Sequence, residues 1–147
     1  MQKDTNRGLG RKVHNSKSRV RRDARRRRKV GVSKKLASST LPRLVVYRSA
    51  KFTYAQLREQ ETGKVLFASS TRDKDVLANV DSIDVDGIAS DAKSPKSVRA
   101  AKALGVRIAE LCKAKQIAKV AFHRNGYLYH GRVKAVADGA RDGGLGF

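Results

Sequence analysis

The sequence predicts an α/β (α+β) fold: a mixed sheet of about four strands in the order β-β-β-α-β-α, two helices packed on it, and a basic N-terminal arm or helix in front. Three observations predict it. Three runs rich in β-branched and aromatic residues follow one another between residues 44 and 69, separated by short turns. Two stretches with helical apolar spacing come later, divided by another short apolar run. The charge is uneven: residues 1–43 hold 16 Lys+Arg against 2 acids, and residues 44–147 hold 18 against 11. The expected organisation is a basic extension and arm over 1–42 and a globular domain over 43–147.

The arm comes first. Arg25-Arg26-Arg27-Arg28-Lys29 lies inside a cationic stretch from Arg19 to Lys35. Its few apolar residues (Val20, Ala24, Val30, Val32, Leu36) give no clean 3.6-residue stripe, so it buries too little apolar area to offset its ordering entropy. Arg and Lys are good helix formers, and Ser16 or Ser18 can cap a start. The expectation is a helix over about 17–37 that becomes stable when phosphates neutralise its sides.

After Pro42, Leu44-Val45-Val46-Tyr47 reads as a strand, and Ser49-Ala50-Lys51 as a turn. Phe52 to Leu57 is a second strand with Phe52, Tyr54 and Gln56 on one side. Glu61-Thr62-Gly63-Lys64 is a hairpin turn in which Gly63 is free to take positive φ. Val65 to Ser69 is a third strand, giving an antiparallel meander. Residues 72–93 read as a polar, acidic loop with a turn of helix at most. Ser94-Pro95 is a helix-start signal. Val98, Ala101, Leu104, Ile108, Leu111 and Cys112 then mark one face of a helix over about 95–115. Ile117 to Phe122 is a short strand, with Val120 and Phe122 on one face, entering parallel to a neighbour through a right-handed crossover. Val133, Val136, Ala137 and Ala140 mark a last helix, ended by Gly143-Gly144.

Composition narrows the function. A formal net charge of +21 on 147 residues, with a pI near 10.9, calls for a polyanionic partner, and nucleic acid is the abundant one inside cells. No apolar run reaches the roughly 20 residues of a membrane span, and no signal-peptide core follows the N-terminus. Cys112 alone makes no internal disulfide, which fits a reducing cytosol, and its place on an apolar helix face predicts a core residue. Ser82-Ile83-Asp84-Val85-Asp86-Gly87 matches part of a calcium loop, but the position that needs a bidentate Glu holds Lys93. His14, His123 and His130 lack metal spacing, so no metal, cofactor or small-molecule substrate is expected.

The stretch from Phe122 to Val133 joins a strand to a helix and gathers Arg, Asn, Tyr, His and two Gly in one loop. Arg124 and Arg132 suit phosphate, and Tyr127, Tyr129 and His130 can stack on bases. Gly131 lets a ligand approach the following helix start. One of the two tyrosines, Tyr129, is expected to belong partly to the core.

Tyr127-Leu128-Tyr129-His130-Gly131-Arg132-Val133, followed by Ala135, Ala137-Asp138, Ala140-Arg141, Gly144-Leu145 and a terminal Phe147, resembles the C-terminus of the bacterial-type ribosomal protein L eighteen family. Pro42 to Ser49 with Tyr54-Ala55-Gln56 looks like that family's first hairpin, and Ser69-Ser70-Thr71 like the end of its third strand. The resemblance covers about residues 17–147. Residues 1–16 look like an extension, the acidic stretch around Asp81–Asp91 departs from the family's pattern, and His123 stands where Asp or Asn is commoner. The resemblance implies a structural protein of the large ribosomal subunit that binds 5S ribosomal RNA. It would help attach that RNA to 23S ribosomal RNA in the central protuberance, beside ribosomal protein L five and other proteins there. The place implied is the cytoplasmic ribosome, with an organellar ribosome as the alternative.

In that reading Arg19, Arg21, Arg22, Arg25, Arg26, Arg27, Arg28 and Lys29 contact RNA backbone as a cationic arm. Arg43, Arg48, Ser49, Lys51 and Tyr54 place one sheet edge on the RNA, and Arg124, Tyr127, His130, Gly131 and Arg132 form a second patch. The competing reading is a small basic nucleic-acid enzyme or regulator, nuclease or chromatin-like. A nuclease needs carboxylates at strand ends to hold magnesium, and these strands carry almost none.

Overall fold

The computed structural model describes residues 17–83, 85 and 94–147. The elements are α1 (Lys17–Lys35), β1 (Arg43–Arg48), β2 (Thr53–Arg58), β3 (Val65–Ser70), α2 (Lys74–Ala78), α3 (Val98–Ala114), β4 (Ala121–His123) and α4 (Arg132–Asp142). The sheet order is β3-β2-β1-β4. Antiparallel pairing joins β1 to β2 and β2 to β3, and β4 runs parallel to β1. The predicted mixed four-stranded sheet with helices on it is what forms. The extension 1–16, with His14, and Asp84, Asp86 and Gly87 of the Ser82–Gly87 loop lie outside the described residues.

Register divides the sheet into two faces. Leu44, Leu57 and Phe67 align across β1, β2 and β3, with Phe122 beside Leu44. This face packs on α3 and α4, where Leu104, Ile108, Val133 and Val136 are fully buried. Cys112 belongs to this core, and burial pushes its thiol up to about 11. Helices α3 and α4 meet backbone to backbone. A Cβ on Gly105 would lie 2.2 Å from the Val136 carbonyl oxygen, and one on Gly139 2.1 Å from that of Lys102. Val45, Tyr47, Tyr54, Gln56, Arg58 and His123 fall on the opposite face.

Two element boundaries differ from the sequence reading. Helix α3 starts at Val98, capped by the Ser97 side chain, which accepts from the Ala100 N–H at 3.0 Å. The Ser94 carbonyl instead accepts the Ser97 N–H at 2.8 Å, so Ser94-Pro95 forms a turn before the helix. The strand expected from Ile117 is paired to β1 only over 121–123, because residues 118–120 bond to the C-terminal segment. Val120 N–H donates to the Gly146 carbonyl, and Gly146 N–H to that of Ala118, both at 2.9 Å. The polar stretch after β3 contains the single-turn helix α2, whose Val76 is fully buried. Gly63 takes φ 67° in the hairpin turn, as the turn chemistry requires.

Candidate nucleic-acid interface

Helix α1 has no fully buried residue, yet Ala24, Arg25, Arg28, Val32, Ser33 and Leu36, on it and just after it, are all half-buried. They recur at helical spacing and form the stripe that lies against the second face of the sheet. Half of the stripe is polar, and its Arg25, Arg28 and Ser33 fix it by hydrogen bonds beside the small apolar contribution of Ala24, Val32 and Leu36. Arg25 Nε donates to the Asn125 carbonyl at 3.3 Å and Arg28 Nε to that of Gly126 at 2.9 Å. Arg43 reaches back to the Leu36 carbonyl at 3.1 Å. The approach is close enough that a Cβ on Gly126 (φ 75°) would lie 2.3 Å from the Arg25 carbonyl oxygen.

His123 completes the docking. Its Nδ1 accepts the Asn125 N–H at 3.1 Å, so in the neutral ring Nε2 carries the proton and donates to Ser33 Oγ at 3.0 Å. Burial first, and then the charges of Arg43, Lys29 and Arg58, hold its pKa below the ordinary histidine value. His123 is a neutral pin between β4 and α1.

Tyr127 is the junction of three elements. Its hydroxyl donates to the Arg48 carbonyl at 2.9 Å and accepts the Arg48 N–H at 3.2 Å. Its ring lies 3.8 Å below the Arg25 guanidinium and 5.7 Å from that of Arg48. Tyr127, rather than Tyr129, is therefore the tyrosine that packs into the fold. Tyr129 is 42 % exposed and meets Phe122 edge-on. The reason is the loop's direction: the αL residue Asn125 and Gly126 turn the chain so that Tyr127 faces β1.

The predicted site residues divide by role. Arg21, Arg22, Arg26, Arg27 and Lys29 are exposed on α1, as is Arg19 near its start. Arg21, Arg28, Arg48, Tyr127 and His130, with Leu128, line one cleft of about 470 Å³ between α1 and the loop after β4. Arm and strand-to-helix junction thus share a surface. Lys51 is exposed at the β1–β2 turn, which Ser49 builds by accepting the Phe52 N–H and donating to the Phe52 carbonyl. Arg124 donates to the Tyr127 carbonyl at 2.6 Å and shapes the loop from within. Arg132 donates to the Ser49 carbonyl at 3.1 Å, and burial and then the Arg48 charge hold its pKa below the ordinary value. Gly131, with φ 58°, is the N-cap of α4.

Sequence reasoning did not single out Tyr47, Gln56, Arg58 or Asn125. With Tyr54 they line an open groove of about 580 Å³ on the second face of the sheet, alongside α1. The available signal was register: Tyr47 and Tyr54 are direct cross-strand partners, and their rings are 5.9 Å apart.

A basic helix laid across an aromatic-bearing sheet defines a class, the α/β proteins that hold RNA through backbone contacts and exposed rings. Comparison with known proteins gives the family. Residues 19–147 match the family model described as ribosomal L18 of archaea, bacteria, mitochondria and chloroplasts. The chain is 48 % identical over 129 residues to large ribosomal subunit protein uL18 of Nitratidesulfovibrio vulgaris (strain Miyazaki F), covering 87 % of this chain and 98 % of that one. To the uL18 protein of Sorangium cellulosum it is 44 % identical over 124 residues, covering 84 % and 94 %. To that of Caldicellulosiruptor saccharolyticus it is 42 % identical over 140 residues, covering 95 % and 99 %. The chain belongs to the ribosomal L18 family. It is a structural component of the large ribosomal subunit and not an enzyme, which sets the nuclease reading aside.

Proposed function

We propose that this chain binds 5S ribosomal RNA and helps attach it to 23S ribosomal RNA in the central protuberance, beside ribosomal protein L five. The observation that carries the reading is the shared cleft, where Arg21 and Arg28 of the arm face Arg48, Tyr127 and His130 of the folded domain. A-form RNA hides its base edges in a deep major groove, so a protein grips it through phosphates, 2′-hydroxyls and unpaired bases. The exposed arginines of α1 suit the phosphates. The docked helix holds them at a fixed spacing from the junction loop, and that spacing selects a folded RNA over a simple polyanion. The Arg25–Asn125 and Arg28–Gly126 bonds give those two arginines a positioning role as well as a charge.

Filter retention at moderate salt tests the reading. The full chain is expected to hold 5S ribosomal RNA while releasing transfer RNA of similar length. Equal retention of the two would reduce the surface to a general polycation.

A further inference from the structure

We infer that the open groove on the second face of the sheet is a subsite for one unpaired nucleobase carrying a ring carbonyl beside an imino N–H, namely uracil or guanine. The inference deepens the RNA-binding reading and rests on it. Four observations lead to it. The groove, of about 580 Å³, falls within the size range of small-ligand sites. Its floor is aromatic: Tyr47 is 48 % exposed, with Tyr54 half-buried beside it. Aromatic rings standing on a sheet are platforms for unstacked RNA bases.

The polar rim selects among bases. Gln56 Oε1 accepts from Arg58 at 3.0 Å, which leaves the Gln56 amide N–H groups to donate into the groove. Donors there match a base carbonyl and repel an exocyclic amino group. Asn125, only 7 % exposed, lines the same groove, and its buried Oδ1 has no hydrogen-bond partner. A buried acceptor without a donor is costly, and an imino N–H supplies the missing donor after a small turn of the amide. Uracil and guanine present this carbonyl and imino pair on one edge; cytosine and adenine do not. Arg58 is exposed at the rim and suits the adjoining phosphate.

The test measures binding of the full chain to oligouridylate and oligocytidylate of about twelve nucleotides, by fluorescence polarisation at one fixed salt. The two share a backbone and differ at the base edge. Uridylate is expected to bind about fivefold more tightly, a modest share of what a good base contact discriminates. Tyr54→Leu is expected to lose about five- to tenfold on uridylate and to erase the preference, with the salt slope unchanged because the lost contact is not ionic. Tyr54→Phe keeps the stacking ring and is expected to restore the uridylate preference that the Leu variant loses. Gln56→Glu, a change at the sheet surface, is expected to abolish the preference even if the Leu variant fails to fold. Equal binding of the two oligonucleotides by wild type, or an unaltered preference in Gln56→Glu, overturns the inference. If 5S RNA is retained while the two oligonucleotides bind equally, the groove assignment alone falls. A uridylate preference without 5S retention counts against the functional reading alone.

Discussion

Tyr127 illustrates how much one side chain in this family member connects. Its hydroxyl closes a two-bond bridge to the Arg48 backbone at the end of β1, and its ring supports Arg25 of α1. The two functions separate by substitution. Tyr127→Phe keeps the ring and removes the hydroxyl, and is expected to lower stability by about 1 kcal/mol, as for one hydrogen-bonding group. Tyr127→Ala also removes the platform under Arg25, and is expected to raise amide exchange in α1 as well as lower the melting temperature. Protection of α1 that is unchanged in the Ala variant would show that the cation–π contact does not hold the helix. His123 makes a second residue-scale prediction. Its pKa is lower in the fold than in the unfolded chain, so below pH about 6.5 the unfolded state takes up the proton first. Its contribution is therefore complete above that pH and is lost as pH falls toward the folded value. The protonated ring would also turn Nδ1 from acceptor to donor against the Asn125 N–H. Urea titrations at pH 7.5 and 5.5 are expected to show a stability loss in wild type that His123→Gln lacks. The difference should not exceed about 1.4 kcal/mol per pH unit, the limit for one proton. A pH dependence equal in the two proteins would remove His123 from this role.

At the scale of elements, glycine placement separates the helices. Gly105 and Gly139 sit where α3 and α4 touch, and any Cβ there strikes backbone of the other helix. Gly31, in α1, has nothing within 4 Å of the corresponding point. Alanine is the better helix former by about 1 kcal/mol at any of these sites. Gly31→Ala is therefore expected to stabilise α1, read as greater helicity by circular dichroism. Gly105→Ala is expected to lower global stability by about 1–3 kcal/mol through overpacking, read from the urea midpoint. Stabilisation by Gly105→Ala would mean that the helices can separate freely. The same contrast explains which elements were legible in the sequence. Helices α3 and α4 announced themselves because their buried positions are apolar at steps of three and four. The three-strand meander was legible from alternation and from the Gly63 turn. The docked face of α1 was hidden because it presents Arg25, Arg28 and Ser33 where apolar periodicity looks for leucine. The choice between Tyr127 and Tyr129 depended on the positive φ of Asn125, which the residue types did not disclose. Most of the candidate surface was named by composition, but the sheet groove needed register, since Tyr47 and Gln56 become neighbours only after pairing.

Across the whole molecule, charge acts with opposite signs on the free and the bound chain. With +21 on 147 residues and the arm helix lying against a sheet that bears Arg43, Arg48 and Arg58, the free protein repels itself. Added salt screens that repulsion and is expected to raise its melting temperature. Binding to RNA moves the other way, because each neutralised phosphate releases a counterion and salt reverses the gain. If the exposed arginines of α1 and the shared cleft together cover about eight phosphates, the logarithm of the association constant should fall against the logarithm of salt with a slope of roughly −6 to −7. Arg26 and Arg27 are exposed on α1 and, among the described residues, make no hydrogen bond to the folded domain, so they report on phosphate contact. Replacing both by glutamine is expected to make the slope shallower by about 2 while leaving the melting temperature near that of wild type. Titrations between low and moderate salt on 5S ribosomal RNA measure both quantities. A wild-type slope shallower than about −2, or a double variant with the wild-type slope, would take the arm off the phosphates. The RNA would then be held by the sheet and junction loop alone.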